Sequence, residues 1–545
     1  MKVKFLGAAI SVTGSCHLIT TDKYKILLDC GQFQGSDELE QLNREPLGFN
    51  PSEIDFVILS HAHIDHSGRI PLLTKHGFRG KIFCTDATAD LVSIMLRDSA
   101  YIHKKEAEWH NRKAERSNRP LIDPLYTAED VEEALEYLNP ALYNQLITVN
   151  EDIKFRFRDA GHILGSAITE LWIRQGDKIS KIVYTGDLGV KNKPLLRNPE
   201  IINEADYLIM ETTYGDRVHE TNEESLEKFI DIIIKTTKRG GTVVVPSFAV
   251  GRTQELIYEL NMYYEQHEEY KKDLDDIMVY IDSPLAISAT EIFRRNVQVF
   301  DEETRAMILD GDHPLDFKNL KFTRTSEESK QLNISTQPKI IISASGMCDA
   351  GRIKHHLKHN LWNPKSSIVF VGYQAEGTLG RSIVNGDKNV SIFGERIHVQ
   401  AEIYSLEGFS GHADRDELLQ WVSSFTKPPK KIFLVHGEEE SKLGFAASVK
   451  EALGYDCTVI NDVSEYDLDC DVRLSIEDVK GRIANEMQIS AMKEKLAQIH
   501  EELETILYNA NLAVSDQSTR NKVHELTNIL LELEKSTIQL GSALM

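Results

Sequence analysis

Short apolar runs that end at an acidic residue or a histidine recur through the first part of the chain. Four runs share this form: residues 26–28 precede Asp29, residues 56–59 precede His61, residues 182–185 precede Asp187, and residues 207–210 precede Glu211. Runs of this length, bounded by Gly, Asp and Asn, are typical of β-strands. We therefore predict a sheet-rich unit whose strand ends carry the reactive side chains, which is a rigid way to build a site.

Farther along the chain the apolar runs alternate with segments of helical period. These runs lie at residues 242–245, 277–281, 339–342 and 367–371. Strands that are apolar on both faces are typical of a parallel sheet covered by helices. The earlier pattern returns near residue 395, so we predict a second α/β domain inserted into the first. The predicted segments are 1–212 and 395–470 for the outer domain, 213–394 for the insertion and 471–545 for a helical tail.

The tail carries two seams of apolar residues spaced by three and four. They are Met492, Leu496, Ile499, Leu503, Ile506 and Ala510, followed by Val523, Leu526, Leu530, Leu533 and Leu540. Two such helices joined by a short polar link predict an αα-hairpin. Two interpretations stay open: the hairpin packs on its own chain, or it forms a homodimer.

Composition favours a soluble, intracellular protein. Of the 545 residues, 41% are hydrophobic, which is ample for large cores. The sequence has neither an apolar run of about 18 residues nor a signal-peptide core behind Met1, so we expect a cytoplasmic protein without membrane contact. The six cysteines form no CxxC pair, which favours free thiols and argues against a cysteine zinc site.

The formal charge of −23 arises from 62 Lys and Arg against 85 Asp and Glu. Taken alone, it argues against a protein that coats nucleic acid non-specifically. It leaves room for an enzyme that handles nucleic acid in a locally basic, metal-bearing cleft. The most basic stretch, residues 103–119, is interpreted as a solvated helix face, with guidance of a substrate as the alternative.

One short segment concentrates metal-ligating side chains. Directly after the run at 56–59, His61, His63, Asp65 and His66 fall within six residues. Imidazole and carboxylate groups suit zinc or a similar transition metal. Four ligands on one loop cannot all bind one tetrahedral ion without strain, which favours two adjacent ions. Such a pair can lower the pKa of a shared water and clamp the oxygens of a phosphoryl group.

Three isolated residues at strand ends fit the same site. His162 lies in a turn flanked by glycines, Asp187 follows Gly186, and His436 comes from a distant part of the chain. Any one of them alone would more often be a structural polar residue. Their shared position after strands favours a joint role.

Together these residues resemble the metallo-β-lactamase superfamily and, within it, the beta-CASP nucleases that process RNA, similar to ribonuclease J or to the cleavage-and-polyadenylation endonuclease. The resemblance implies an α/β fold: an αββα sandwich with an inserted α/β beta-CASP domain and a C-terminal helical hairpin. It also implies two Zn²⁺ ions, with Mn²⁺ as a substitute. The implied ligands are His61, His63 and His162 for one ion and Asp65, His66 and His436 for the other, with Asp187 as the bridge and Asp29 orienting a ligand imidazole.

The three beta-CASP marks are also present, at Glu211, His412 and His436. The resemblance covers residues 1 to about 470 and includes segments 245–255, 282–286, 344–347 and 372–380, whereas the tail has no counterpart. In the insertion, the candidate phosphate contacts are Ser247, Arg252, Ser345 and the amides near Gly346. Arg252 could instead hold its own helix in place.

The resemblance implies a zinc-dependent phosphodiesterase that cuts single-stranded RNA, with endonucleolytic or 5′-exonucleolytic action. A metal-bridged hydroxide would attack the phosphorus, and His412, paired with Glu211, would protonate the leaving oxygen. The catalytic residues are then Asp65, Asp187, Glu211 and His412. The alternatives are a metal-binding scaffold subunit of an RNA-processing assembly, a DNA-directed nuclease of the same family, and a hydrolase of small thioesters or lactams, against which the size of the insertion argues.

Overall fold

Three β-sheets and a two-stranded ribbon organise the chain in the computed structural model, which describes residues 1–117, 120–267, 276–470 and 472–474. Within these residues, no helix combines the length and the apolar character that crossing a bilayer requires. The predicted tail hairpin, and with it the homodimer alternative, lies outside the described residues.

The first sheet has eight strands, namely β1 (Lys2–Gly7), β2 (Cys16–Thr20), β3 (Lys25–Leu28), β4 (Phe56–Ile58), β5 (Lys81–Thr85), β6 (Leu138–Ala141), β22 (Ser464–Asp467) and β23 (Val472–Leu474). Their spatial order is β23-β22-β1-β2-β3-β4-β5-β6. The pairs from β23 to β3 are antiparallel, and those from β3 to β6 are parallel. The return segment thus completes the edge of a sheet that the first residues begin.

The second sheet has seven strands, namely β7 (Ile147–Thr148), β8 (Ile153–Asp159), β9 (Ala167–Gln175), β10 (Lys178–Tyr184), β11 (Tyr207–Glu211), β20 (Lys431–Val435) and β21 (Cys457–Val459). Their spatial order is β21-β20-β11-β10-β9-β8-β7. Because β10, β11 and β20 are parallel neighbours, the residues that follow them meet at one edge of the sheet. Those residues include Asp187, Glu211 and His436, as the strand-end pattern predicts.

The third sheet lies between β11 and β20 in the sequence. Its strands are β12 (Thr242–Pro246), β13 (Met278–Ile281), β14 (Leu320–Phe322), β15 (Lys339–Ser343), β16 (Ser367–Phe370) and β19 (Glu402–Ser405), in the spatial order β14-β13-β15-β12-β16-β19. All five neighbouring pairs are parallel. The ribbon consists of β17 (Asn389–Ile392) and β18 (Glu395–His398).

Strand pairing in the third sheet extends past the predicted boundary at residue 394. Residue 394 lies in the turn of the ribbon, and β19 still pairs with β16 of the third sheet. Strand pairing therefore carries the third sheet to Ser405. The chain next contributes to the second sheet at β20, so we propose a return to the outer domain after Ser405 rather than at 395.

Fourteen helices are described. They are α1 (Asp37–Gln41), α2 (Ile64–Ser67), α3 (Ile70–Lys75), α4 (Asp86–Ser117), α5 (Ala128–Leu135), α6 (Asn222–Lys238), α7 (Arg252–Gln266), α8 (Pro284–Arg295), α9 (Glu302–Leu309), α10 (Ser326–Ile334), α11 (Ile353–Asn360), α12 (Leu379–Val384), α13 (Arg415–Val422) and α14 (Glu439–Leu453).

Packing makes the first two sheets the centre of a layered sandwich. Phe5 and Phe83 of the first sheet and Phe155 and Phe433 of the second lie in one buried cluster, so the two sheets face each other. On the outer faces, α3 and α4 pack on the first sheet, and α13 and α14 pack on the second. The predicted αββα sandwich with an inserted α/β domain is confirmed.

Candidate metal centre

The HxHxDH segment is divided by the start of a helix. His61 and His63 lie on the extended chain after β4, whereas Asp65 and His66 belong to α2, which begins at Ile64. The first turn of α2 sits against the chain after β3, and a Cβ on Gly31 would lie 1.6 Å from the Asp65 carbonyl oxygen. Only glycine permits this approach, which fixes α2 against the end of β3.

The first group of ligand atoms comes from His61, His63, His162 and Asp187. His61 Nε2 and His162 Nε2 lie 3.1 Å and 3.2 Å from His63 Nδ1. Asp187 Oδ2 is 3.4 Å from His61 Nε2 and 3.5 Å from His162 Nε2. Burial lowers the pKa of His61, that of His63 to about 3, and that of His162 well below the ordinary range. These imidazoles are therefore neutral, which is the form that binds metal.

The second group comes from Asp65, His66 and His436. His66 Nε2 and His436 Nε2 are 3.1 Å apart, and Asp65 Oδ2 lies 3.4 Å from His436 Nε2. Asp187 Oδ1 is 3.2 Å from His66 Nε2 and 3.5 Å from His436 Nε2. The carboxylate of Asp187 therefore divides its two oxygens between the groups.

These distances fit the residues to metal ions. Zinc–nitrogen bonds of about 2.0–2.1 Å in tetrahedral geometry place neighbouring ligand atoms about 3.3 Å apart. The separations given above lie close to this value, and the widest within the second group is 3.9 Å, between Asp65 Oδ2 and His66 Nε2. Asp187 Oδ1 is buried, yet it has no hydrogen-bond partner in the part of the chain that is described. A buried carboxylate oxygen without a donor is what a bridging ligand presents to a cation.

Electrostatics also indicate that the site holds positive charge. Burial alone would raise the pKa of Asp187, but the surrounding imidazoles of His436, His66 and His61 hold it well below the ordinary range. Burial alone would lower the pKa of His66, but the carboxylates of Asp187 and Asp65 hold it well above its ordinary value. The proton on His66 thus compensates buried negative charge, and a divalent cation does the same when it displaces that proton.

Partners around the centre fix the orientation of four imidazoles. The nitrogen opposite the ligand atom contacts Ser60 Oγ in His61 (3.0 Å), Asp29 Oδ2 in His66 (2.7 Å), the Gly411 carbonyl oxygen in His162 (2.9 Å) and Thr213 Oγ1 in His436 (3.1 Å). Acceptors in these positions select the tautomer that leaves Nε2 unprotonated. Asp29 therefore lies where the sequence predicts an orienting residue.

Beside the two ligand groups lies a histidine–carboxylate pair. His412 Nδ1 is 3.2 Å from both carboxylate oxygens of Glu211. Glu211 is fully buried and accepts hydrogen bonds from the Leu188 amide (2.6 Å) and the Thr213 hydroxyl (2.6 Å). Burial would lower the pKa of His412, but the Glu211 carboxylate outweighs it and raises that pKa. The ring of His412 lies 4.5 Å from that of His162, at the edge of the first group.

The four predicted phosphate contacts are placed differently from one another. Ser247 is buried, and its hydroxyl accepts a hydrogen bond from Thr253. Arg252 is largely buried and pairs with Glu255 on the same helix, which is the alternative that its sequence context left open. Ser345 is half-buried in the loop that contains Gly346.

Four side chains at the centre are not among the sequence predictions, namely Ser60, described above, and three others. Tyr184 donates a hydrogen bond to Asp29 (2.6 Å), Thr213 joins Glu211 to His436, and the ring of Phe248 lies 6.2 Å from that of His63. Phe248 also packs on Gly346, where an added Cβ would lie 2.9 Å from its ring. Tyr184 ends a strand, and Thr213 and Phe248 each lie two residues after one. Tyrosine, threonine and phenylalanine are common at such positions for structural reasons, so no sequence signal separates them.

Comparison with known proteins agrees with this geometry. Family models match residues 11–82 (metallo-beta-lactamase superfamily), 253–383 (Beta-Casp domain) and 396–460 (Zn-dependent metallo-hydrolase RNA specificity domain). The chain is 39% identical to a Thermus thermophilus protein named ribonuclease TTHA0252, over 81% of this chain and 94% of that one.

Two proteins of Methanocaldococcus jannaschii are also similar. An RNase J-like protein is 33% identical over 83% of this chain and 96% of its own length. The transcription termination factor FttA is 34% identical over 83% of this chain and 69% of its own length. This chain therefore belongs to the beta-CASP family of the metallo-β-lactamase superfamily.

Proposed function

We propose that this protein is a zinc-dependent phosphodiesterase that cuts single-stranded RNA. The observation that carries the proposal is the position of Asp187, whose two oxygens face two separate groups of buried ligand atoms. Two metal ions held this close suit the displacement at phosphorus. RNA is favoured as the substrate because similar proteins carry the names ribonuclease and RNase J-like protein.

The proposed ligands divide as the geometry groups them. His61, His63 and His162 would hold one Zn²⁺, Asp65, His66 and His436 would hold the other, and Asp187 would contact both. When bound, the two ions supply an activated water and positive charge for the phosphate oxygens. Asp29, Ser60 and Thr213 keep the imidazoles in the required tautomer through the contacts described above.

His412 and Glu211 would supply the proton that the leaving oxygen needs. Glu211 engages Nδ1 of His412 and favours its protonated form, so the proton would pass from Nε2. A general acid in this position contributes typically about 10²- to 10⁴-fold to a rate. Two donors, the Leu188 amide and the Thr213 hydroxyl, hold the Glu211 carboxylate in place and aim it at the ring.

The test uses RNA labelled at its 5′ end and carrying either a monophosphate or a blocked end. We expect metal-dependent cleavage by the native protein and loss of it in His63→Ala and Asp187→Asn, with zinc content falling from two equivalents in both. His313→Ala, which truncates an exposed histidine, is the matched control and should cut normally. Internal fragments would assign endonuclease action, and mononucleotides released from the monophosphate substrate alone would assign 5′-exonuclease action. Unchanged cleavage by both variants would refute the proposal.

A further inference from the structure

A second surface of the inserted domain has the chemistry of a nucleic-acid contact. On α11, Ile353 and Leu357 face inward and pack with the ribbon residues Val390 and Ile392. Basic and aromatic side chains lie on the outward side of the helix and just after its end, one, three or four residues apart in the sequence. We call this group the basic helix face, and it consists of Lys354, His355, Lys358, His359 and Trp362.

An aromatic ring at the tip of the ribbon adjoins the basic helix face. Phe393 is 52% exposed, and its ring lies 4.6 Å from that of His355 at an angle of 33°. The Lys354 ammonium lies over the same ring, 5.6 Å from its centroid. Trp362, at the other end of the face, is 56% exposed. Two large exposed aromatics among lysines and histidines offer bases a surface for stacking and phosphates a source of positive charge.

The backbone at Phe393 is unusual for such a residue. Its φ is +55°, in the left-handed region that bulky side chains rarely adopt, and Gly394 follows with φ +79°. Two-residue ribbon turns of this kind normally carry Asn, Asp or Gly at the first position. Asparagine would relieve the strain, yet a phenylalanine is held there in solvent. Folding alone does not account for an exposed aromatic at this position.

The charge of this region opposes that of the whole chain. The basic helix face contains two lysines and two histidines but no Asp or Glu, in a protein whose formal charge is −23. Glu395 pairs with Lys358 at 2.6 Å, and the other lysine of the face, Lys354, donates to the Asp349 carbonyl oxygen. The stretch at 103–119, by contrast, contains Glu106, Glu108 and Glu115. The basic helix face is therefore the cleaner candidate for binding a polyanion.

A continuous series of contacts leads from the metal centre to this face. Phe248 lies between the ring of His63 and Gly346. The loop that contains Gly346 ends at α11, where the Ile353 amide donates to the Ala344 carbonyl oxygen. Lys354 thus stands one loop away from the site where the substrate would be cut.

We propose that the basic helix face together with Phe393 binds single-stranded RNA outside the metal centre, by stacking bases on Phe393 and Trp362 and by pairing phosphates with Lys354 and Lys358. The proposal rests on RNA as the proposed substrate. It implies that a long RNA is held at two places and that a short one is held only at the metal centre.

The experiment compares binding of a long single-stranded RNA (roughly 30 nucleotides) with a short one (roughly 5 nucleotides) by fluorescence anisotropy. The His412→Ala protein, in which we expect slow cleavage and unchanged zinc content, serves as the background for all binding measurements. We expect Phe393→Asn to weaken binding of the long RNA roughly 5- to 100-fold and to leave the short one unchanged. The affinity for the long RNA should fall with salt concentration, and we compare the slopes of log K against log salt. In the double variant Lys354→Gln, Lys358→Gln this slope should be shallower by about 0.7 for each lysine.

Asparagine suits the backbone at position 393, so this variant should melt at or above the temperature of its parent. The matched controls lie in the same domain: Leu309→Asn removes an exposed apolar side chain, and Lys330→Gln removes an exposed lysine paired with Glu327. Equal binding of the long RNA by parent and face variants would overturn the proposal and leave the face for a protein partner. Failure of the parent to bind any RNA would overturn the RNA assignment of both sites. In the otherwise native protein, Phe393→Asn should still cut short RNA, because this change leaves the metal centre intact. Cleavage of short RNA therefore distinguishes failure of the second surface from failure of the proposed function.

Discussion

Asp29 is the residue through which the second ligand group is anchored to the sandwich. It is fully buried, and its carboxylate accepts from the Ser60 amide, the Ser60 hydroxyl, His66 and the Tyr184 hydroxyl. Burial alone would raise its pKa, but these bonds hold it below the ordinary value. The donors around Asp29 fix the orientation of its carboxylate toward His66, so a residue outside the ligand set affects how the ligand is held.

Tyr184→Phe should weaken metal binding while leaving the fold intact. The change removes one donor to Asp29 and the contact with Ser15 (2.9 Å) but no ligand. We expect up to about a tenfold loss of zinc affinity, at the lower end of effects measured for such partners. Competition with a chelator measures it. Tyr207→Phe, whose hydroxyl donates to the Leu468 carbonyl oxygen away from the centre, is the control. Equal zinc affinities in the two variants would show that Tyr184 does not support the site.

Glu211→Gln should slow cleavage without emptying the metal centre. Glutamine keeps the size of the side chain but removes the charge that raises the pKa of His412. We expect kcat to fall by roughly 10²- to 10⁴-fold with zinc content unchanged, and His412→Ala to do the same. Because the two residues act as a pair, the double variant should lose little more than either single one. If the fold-decrease in kcat of the double variant equals the product of the two single decreases, the two residues do not share one role.

At the scale of elements, buried side chains tie helices to strand ends. Lys442 on α14 is almost fully buried, and its ammonium donates to the carbonyl oxygens of Ala9 and Ile460. It thus connects α14 to the loop after β1 and to the chain after β21. Burial lowers the pKa of Lys442 to about 8. In an unfolded chain, the pKa of lysine is about 10.4.

This difference predicts a pH dependence of stability. Between pH 8 and about 10.4 the unfolded chain binds more protons at Lys442 than the folded protein, so the free energy of unfolding rises with pH through this interval. Across this pH interval, the free energy of unfolding of the native protein should therefore rise by on the order of 1–3 kcal/mol relative to that of Lys442→Met. Urea midpoints at several pH values test this, with Lys450→Met on the exposed face of α14 as the control. A native-to-variant difference that stays constant with pH would exclude the buried titration.

At the scale of the whole molecule, a buried ion cluster joins the outer domain to the insertion. Lys193, which follows β10, lies 2.5 Å from Glu255 on α7, and Arg252 pairs with the same carboxylate. Lys193 also approaches the metal centre, since a Cβ on Gly411 would lie 3.6 Å from its ammonium and 3.2 Å from the ring of His162. The cluster therefore connects the outer domain to the insertion beside the candidate metal centre.

Lys193→Met should destabilise the protein far more than an equivalent change at the surface. Removing one partner of a buried ion pair costs about 3–5 kcal/mol, because the other is left without compensation; here Arg252 still faces Glu255, so we expect about 3 kcal/mol. Lys228→Met, which breaks the exposed pair with Glu220, should cost less than about 1 kcal/mol. Chemical denaturation of both variants provides the comparison. Similar decreases in the free energy of unfolding of Lys193→Met and Lys228→Met would mean that the cluster does not join the domains.

The layered fold was predictable because it follows from local patterns, and the same patterns mark the candidate ligands, whose grouping was implied by the family resemblance. A strand ending in a ligand is visible as an apolar run followed by His61, Asp187 or Glu211, and parallel strands bring such ends to one edge. The period of the apolar runs likewise predicted a helix-covered parallel sheet. The extent of the third sheet depends on more than local pattern, because the pairing of β19 with β16 involves a neighbour that is distant in sequence.

What the sequence determined by itself was therefore the list of reactive side chains and the type of scaffold that carries them. The tertiary structure decided which atoms face one another: that Asp187 divides its oxygens between two groups, that Tyr184 and Thr213 support the ligands, and that Arg252 is occupied by Glu255. It also decided that Phe393 stands beside the lysines of α11. The physical reason is that ligand chemistry is a property of residue type, whereas hydrogen-bond partners, charge compensation and exposed surfaces arise only when distant segments pack together.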